Sequence, residues 1–157
     1  QAQLLEVLSE KLRNNNCKPE WIELEITENH VMDDPVKAID TLQKLQDMGI
    51  EIAIDDFGTG YSSLSYLKRL PINKLKIDQS FVQDILDDED DRIIIKSTIS
   101  LAKNMNLNVI AEGVELKEQK DFLLDHGCDL IQGYYYSRPV PGKEMTDLLK
   151  STDWSSL

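Results

Sequence analysis

Two adjacent carboxylates, Asp55 and Asp56, stand where the apolar run Ile50 to Ile54 stops and the glycine-hinged segment Phe57, Gly58, Thr59, Gly60 begins. Like charges at one strand end repel each other unless a cation lies between them, so the pair points to a divalent-metal site. The placement recurs along the chain. Glu25 and Glu28 close an earlier strand-like run, Lys76 and Asp78 close another, then Glu112 and Glu115, and finally Gln132. In a parallel barrel all of these strand ends lie on one face, the face that carries active sites.

Carboxylates that converge in a partly dry cavity raise one another's pKa unless hard cations neutralise them. An all-oxygen donor set suits magnesium or manganese rather than zinc. With four or more acids, two ions are expected, and such a pair would clamp an in-line phosphoryl displacement. Lys76, between Leu75 and Ile77, is an inward ammonium if its strand is central and an ordinary blunting charge if the strand is an edge. Structural readings stand beside these. Asp55 and Asp56 could form a turn before Gly58, Glu25 could be the solvent-facing member of an alternating strand, and Glu112 could cap a helix. Tyr134, Tyr135 and Tyr136 could stack on a base, but alternating tyrosines in a strand are more often core and rim. His30 and His126 have no partner spacing and are assigned nothing. The residues alone lead to a metal-dependent barrel enzyme and no further, because carboxylates, a metal and an inward lysine would also serve proton abstraction next to a carboxylate.

Those side chains need elements to hold them. Leu4, Leu5, Leu8 and Leu12 mark a first helix, and Trp21 to Thr27 alternates apolar and acidic residues with the period of a strand. Asp33 or Asp34 can cap the next helix, Pro35 suits its first turn, and Val36, Ile39, Leu42, Leu45 and Met48 form one stripe before Gly49. Ile50 to Ile54 reads as a buried strand, Ser63 to Leu70 as a short helix and Lys74 to Ile77 as a strand after Pro71. A long helix over Arg92 to Met105 follows, with Asp87 to Asp91 as its solvated start. Val109 to Ala111 is a strand, Lys117 to Asp125 a helix, Leu130 to Tyr134 a strand, and a last helix carries Met145, Leu148 and Leu149. Five short apolar strands alternating with helices specify an α/β fold with a covered parallel sheet. A TIM-type barrel is favoured over an open doubly wound sheet, since no glycine-rich phosphate turn is present.

The composition narrows the partners. A chain of 157 residues, 41% hydrophobic and 29% charged, is ordinary for one globular domain. Its 17 basic and 29 acidic residues give a formal net charge of -12, which opposes DNA, RNA or anionic membranes. A small phosphorylated ligand would need metal ions as intermediaries. Cys17 and Cys128 match no zinc or redox spacing and read as reduced thiols of a cytoplasmic protein.

At these residues the chain closely resembles the EAL domain family, phosphodiesterases of the bacterial second messenger cyclic di-GMP. The matching blocks are Glu23 to Glu28 (ELEITE), Asp55 to Leu64 (DDFGTGYSSL), Leu75 to Val82 (LKIDQSFV), Ala111 to Glu115 (AEGVE) and Gln132 to Pro139 (QGYYYSRP). The resemblance implies an incomplete TIM-type barrel that opens cyclic di-GMP to linear pGpG with magnesium or manganese, calcium being non-productive. It implies that Glu25 and Asp55 hold a first ion, and that Asp55 bridges to a second held with Asp56 and Glu112. Lys76 would orient or polarise the attacking water. Glu115, Asp78 and Gln132 would order the network, and Glu28 would hold the loop from Phe57 to Ser63, which borders a dimer interface in the family.

The Glu-Ala-Leu signature itself and a later asparagine are absent from these residues. The chain, 1–157, is therefore expected to be the carboxyl-terminal part of one EAL domain, poorly active alone, and prone to dimerise or associate through open barrel edges. Sensor or diguanylate cyclase domains are expected upstream in the parent protein. The alternative is a non-catalytic EAL-like module that binds cyclic di-GMP or a protein partner.

Overall fold

The period-two run after Trp21 forms β1 (Glu23–Thr27), and four more strands follow it in register and in order. The computed structural model describes residues 2–60 and 64–151. Ahead of β1 lie α1 (Ala2–Asn14) and a 3-10 turn (Pro19–Trp21); after it come α2 (Glu28–Asp33), α3 (Pro35–Asp47), β2 (Glu51–Phe57) and α4 (Leu64–Leu67). The second half contains β3 (Lys74–Ile77), α5 (Gln79–Asp84), α6 (Glu89–Asn104), β4 (Asn108–Ala111), α7 (Lys117–Asp125), β5 (Leu130–Ile131) and α8 (Gly142–Ser151). The sheet runs β1-β2-β3-β4-β5 and every pairing is parallel. The sequential order is that of a (β/α) barrel wall, as the alternation of elements predicts.

Burial explains why the runs became strands. Ile52, Ile54, Leu75 and Ile77 are essentially inaccessible, and α6 seals the sheet with Ile95, Ile99 and Ala102. Cys128 is also buried, and burial pushes its thiol up to about 11, so it is packed and unreactive. Capping fixes the helix starts. Asp34 accepts a hydrogen bond from the Lys37 N–H with Pro35 in the first turn, and Asp88 accepts from Asp90 and Asp91. No helix among the described residues is long and apolar enough to cross a membrane.

Four expectations are corrected. β2 does not stop at Ile54 but carries Asp55 and Asp56 inside it, because Phe57 pairs with Ile77 on β3. β5 is two residues long instead of reaching Tyr134: Gln132 and Tyr135 bond through their backbones to Val114, drawing the chain out of the sheet, so the tyrosines do not alternate on a strand. Two short helices escaped the sequence reading, α2 and α5, and α6 starts at Glu89. Their apolar positions are too few to set a period. The predicted helix from Ser63 to Leu70 is helical over Leu64–Leu67, and Ser63 lies outside the described residues.

Candidate active site

Lys76 sits on the central strand β3, between two inaccessible apolar residues, and is only 4% exposed. A buried ammonium must find partners, and three reach it. Its Nζ lies 2.8 Å from Glu25 Oε1, 3.0 Å from Asp55 Oδ1 and 2.8 Å from Glu112 Oε1. Glu25 comes from β1, Asp55 from β2 and Glu112 from the residue after β4, so four neighbouring strands aim at one point. The edge-strand reading of Lys76 falls here, while Glu25 remains half exposed and turns one carboxylate oxygen to Lys76. Burial alone would lower the Lys76 pKa, but its hydrogen bonds to Glu112, Glu25 and Asp55 outweigh burial and raise it. For Glu112 the balance goes the other way. Burial, with Asp55 and Glu25 nearby, raises its carboxyl pKa despite the contact with Lys76.

A bulge separates the two aspartates. Ile54 pairs with Leu75 and Phe57 with Ile77, so Asp55 and Asp56 together face the single residue Lys76 across the ladder. Asp56 takes up the extra length with φ of 55°, a conformation non-glycine residues rarely adopt. Its side chain therefore serves a different group from that of Asp55. Burial, then Asp55 and Asp78, raise the Asp56 pKa. Asp78 caps α5, and although burial opposes it, hydrogen bonds from Ser80 hold its carboxyl below the usual range.

Glu28 and the segment Phe57, Gly58, Thr59, Gly60 meet beside this group. Glu28 opens α2 rather than ending a strand, is 1% exposed, and accepts the Gly58 N–H at 2.9 Å. Among the described residues its Oε1 is buried without a partner. At Gly60 an added Cβ would lie 3.0 Å from that oxygen and 2.7 Å from Asn29 Oδ1, so one of those side chains would have to shift. Thr59 turns its hydroxyl onto the Asp56 carbonyl at 2.8 Å.

Glu115 and Gln132 do not join Lys76. They line a cleft of about 560 Å³ together with Asp56, Asp78, Glu112 and Arg138. Arg138 and Gln79 in that cleft, and Gln119 behind it, were given no role by the sequence; Tyr134, read there as core or rim, lines the cleft as well. Buried Gln119 accepts from the Glu115 and Leu116 N–H groups, each at 2.9 Å, and donates to the Val82 carbonyl at 3.0 Å, which ties the Glu115 turn to α5. Its place three residues into a helix after an acidic turn was the available signal.

The donor set fits a hard divalent cation. Carboxylate oxygens from three strands already converge on one positive atom, and next to them Asp56 and Asp78 crowd negative charge that Lys76 does not reach directly. Among the described residues no group of three or more acids, histidines or cysteines closes to metal-holding spacing; the Lys76 ammonium stands at the centre of the group instead.

The chain is similar in sequence and in fold to known proteins. Residues 1–139 match the EAL domain family. MucR of Pseudomonas aeruginosa, a bifunctional diguanylate cyclase/cyclic di-GMP phosphodiesterase, is 41% identical over 144 residues, covering 92% of this chain and 21% of that protein. The cyclic di-GMP phosphodiesterase NbdA of the same organism is 40% identical over 150 residues, covering 96% and 19%. The chain thus spans about a fifth of the length of these curated relatives. The solved MucR phosphodiesterase in complex with c-di-GMP superposes with a TM-score of 0.90 at 41% identity, covering 92% of this chain and 59% of that one. Klebsiella pneumoniae BlrP1, solved with manganese and the same dinucleotide, gives 0.81 at 33% identity, covering 88% and 36%. With both its sequence and its fold matching, the chain belongs to the EAL domain family.

Proposed function

We propose that the protein is a metal-dependent phosphodiesterase that opens cyclic di-GMP at one phosphodiester to give linear pGpG. The observation that carries this reading is the gathering of Glu25, Asp55 and Glu112 on the buried Lys76. Glu25, Asp55, Asp56 and Glu112 would hold two magnesium or manganese ions, with Asp55 shared. Bound there, the ions would neutralise phosphate charge and lower the pKa of a water. Lys76, fixed by its strand and kept charged by its neighbours, holds its protons toward the same point and orients the nucleophile. Glu115, Asp78 and Gln132 shape the cleft wall, and Glu28 steadies the loop after Asp56. A formal charge of -12 repels a dianionic dinucleotide, so productive binding depends on the ions.

MucR is named as a cyclase and phosphodiesterase in one chain, which supports a parent protein with further signalling domains for this one too. Dimerisation beside the segment Phe57 to Gly60 would give such domains a lever on Asp55 and Asp56, the residues just before it. The test is chromatography of cyclic di-GMP incubated with the protein and magnesium, manganese or calcium. Formation of pGpG by the parent protein with the first two and not with calcium, and little of it by the chain alone, is the expected result. Binding without any product, in the chain and in its parent protein alike, would establish the non-catalytic alternative.

A further inference from the structure

The cleft is acidic along most of its length and basic at one point. Its acids stand at or just past the ends of β2, β3 and β4, as Asp56, Asp78 and Glu112, whereas Arg138 belongs to the segment that follows β5. Among the described lining residues Arg138 is the single cation. Its guanidinium carbon lies 4.5 Å from the centre of the Tyr134 ring, and Tyr134 is half exposed. Among the described residues it forms no ion pair, although acids share the cleft.

The backbone beneath the pair is fixed. Gly133 packs directly against Val114, whose carbonyl accepts the Tyr135 N–H at 2.9 Å, while the Tyr136 N–H donates to the Gly133 carbonyl at 3.2 Å. A ring held this way stacks on one face of the guanidinium and leaves the planar, donor-bearing edge free. The position along the sheet matters as well. Phosphate belongs among the acids and their ions, and β5 lies one strand spacing, about 5 Å, beyond β4, within a nucleotide's reach from phosphate to base.

We propose that Arg138, stacked on Tyr134, is the residue that reads a guanine base of the bound cyclic dinucleotide and so sets its specificity. The proposal rests on the phosphodiesterase reading. Guanine presents two acceptors, O6 and N7, matched to the paired donors of a guanidinium; adenine places an amino donor where O6 would be, and arginine has nothing to accept it. A lysine at the same place would be a single point charge and would discriminate less.

Calorimetric titrations with calcium present, so that binding is read without turnover, test this on the wild-type protein and on Arg138→Ala, Arg138→Lys and Tyr134→Leu. Arg138 and Tyr134 are exposed, so the variants keep the fold, and calcium affinity measured alone confirms an intact acid cluster. Arg138→Ala is expected to weaken cyclic di-GMP binding about tenfold or more and to leave cyclic di-AMP binding unchanged. Arg138→Lys recovers part of the loss, and Tyr134→Leu shows a smaller loss of the same kind. Equal weakening of both dinucleotides would make Arg138 a general phosphate contact and overturn the proposal, as would no change in either. A wild-type protein that binds calcium but no cyclic di-GMP would sink the phosphodiesterase reading, and the proposal with it.

Discussion

Glu28 and Gly58 are 30 residues apart in sequence and joined in space, the Gly58 N–H donating to Glu28 Oε2 at 2.9 Å. The acceptor is almost fully buried and, among the described residues, its second oxygen has no partner. A charge-assisted bond of this kind stabilises by about 1.5–3 kcal/mol, and an unsatisfied buried oxygen costs about as much. The net effect is local: the carboxylate fixes the segment after Asp56 without adding much to the stability of the whole.

Glu28→Ala is accordingly expected to speed amide exchange at Gly58 about tenfold or more, while the urea midpoint moves little because relief of the unpartnered oxygen offsets the lost bond. Hydrogen exchange read by mass spectrometry decides it. Unchanged protection of residues 57–60 would show that the loop is held by something else.

Lys76 pairs with three carboxylates from a nearly inaccessible position. Removing one partner of a buried ionic cluster costs about 3–5 kcal/mol, and the half-exposed Glu25 places this site at the lower end. Lys76→Met should therefore melt markedly lower without metal, and manganese should raise its Tm more than that of the wild type. Loss of turnover accompanies it. Equal manganese shifts in the two proteins would contradict the account.

The acids of the cluster make the protein pH-sensitive in a definite direction. Asp56 and Glu112 have raised pKa values, so their contribution to folding is fully present below their unfolded values and is lost as pH rises through the folded ones. Asp78, held low, contributes in the opposite sense, above its unfolded value. As pH falls from about 7 to about 5, metal-free wild type should gain stability relative to Glu112→Gln. Over the same interval manganese affinity should fall, because protons compete for the same oxygens. Thermal melts and manganese titrations at matched pH check both; a pH-independent difference between the two proteins would rule out Glu112 as the source.

Gly133 has no tolerance for a side chain. A Cβ there would come within 2.0 Å of the Val114 carbonyl oxygen, a backbone atom that cannot swing aside. Gly133→Ala should cost about 3 kcal/mol or more in urea unfolding and weaken cyclic di-GMP binding by displacing Gln132 and Tyr134. A stable variant with normal binding would mean that the two loops part easily.

How much of this was legible beforehand depended on the range of each interaction. The strand Lys74 to Ile77 is correct to the residue because Leu75 and Ile77, both inaccessible, alternate with the two lysines, and Pro71 and Asp78 flank the segment. Lys117 to Asp125 likewise has a clear period and a glycine stop. The two short helices α2 and α5 were missed because six residues carry less than two turns of pattern. Arg138 was missed because its meaning lies in what shares its cleft.

The acid-tipped strands, their parallel alternation and the hard-cation chemistry they suit are properties of the sequence alone, since residue type and period two dictate them. Tertiary structure decided the rest. It made Lys76 the centre of three carboxylates, and it placed one extra residue in β2 so that Asp55 turns to Lys76 while Asp56 stands beside Asp78. Strand register and a bulge set those partners, and both arise from pairing between segments distant in sequence, which no local pattern contains.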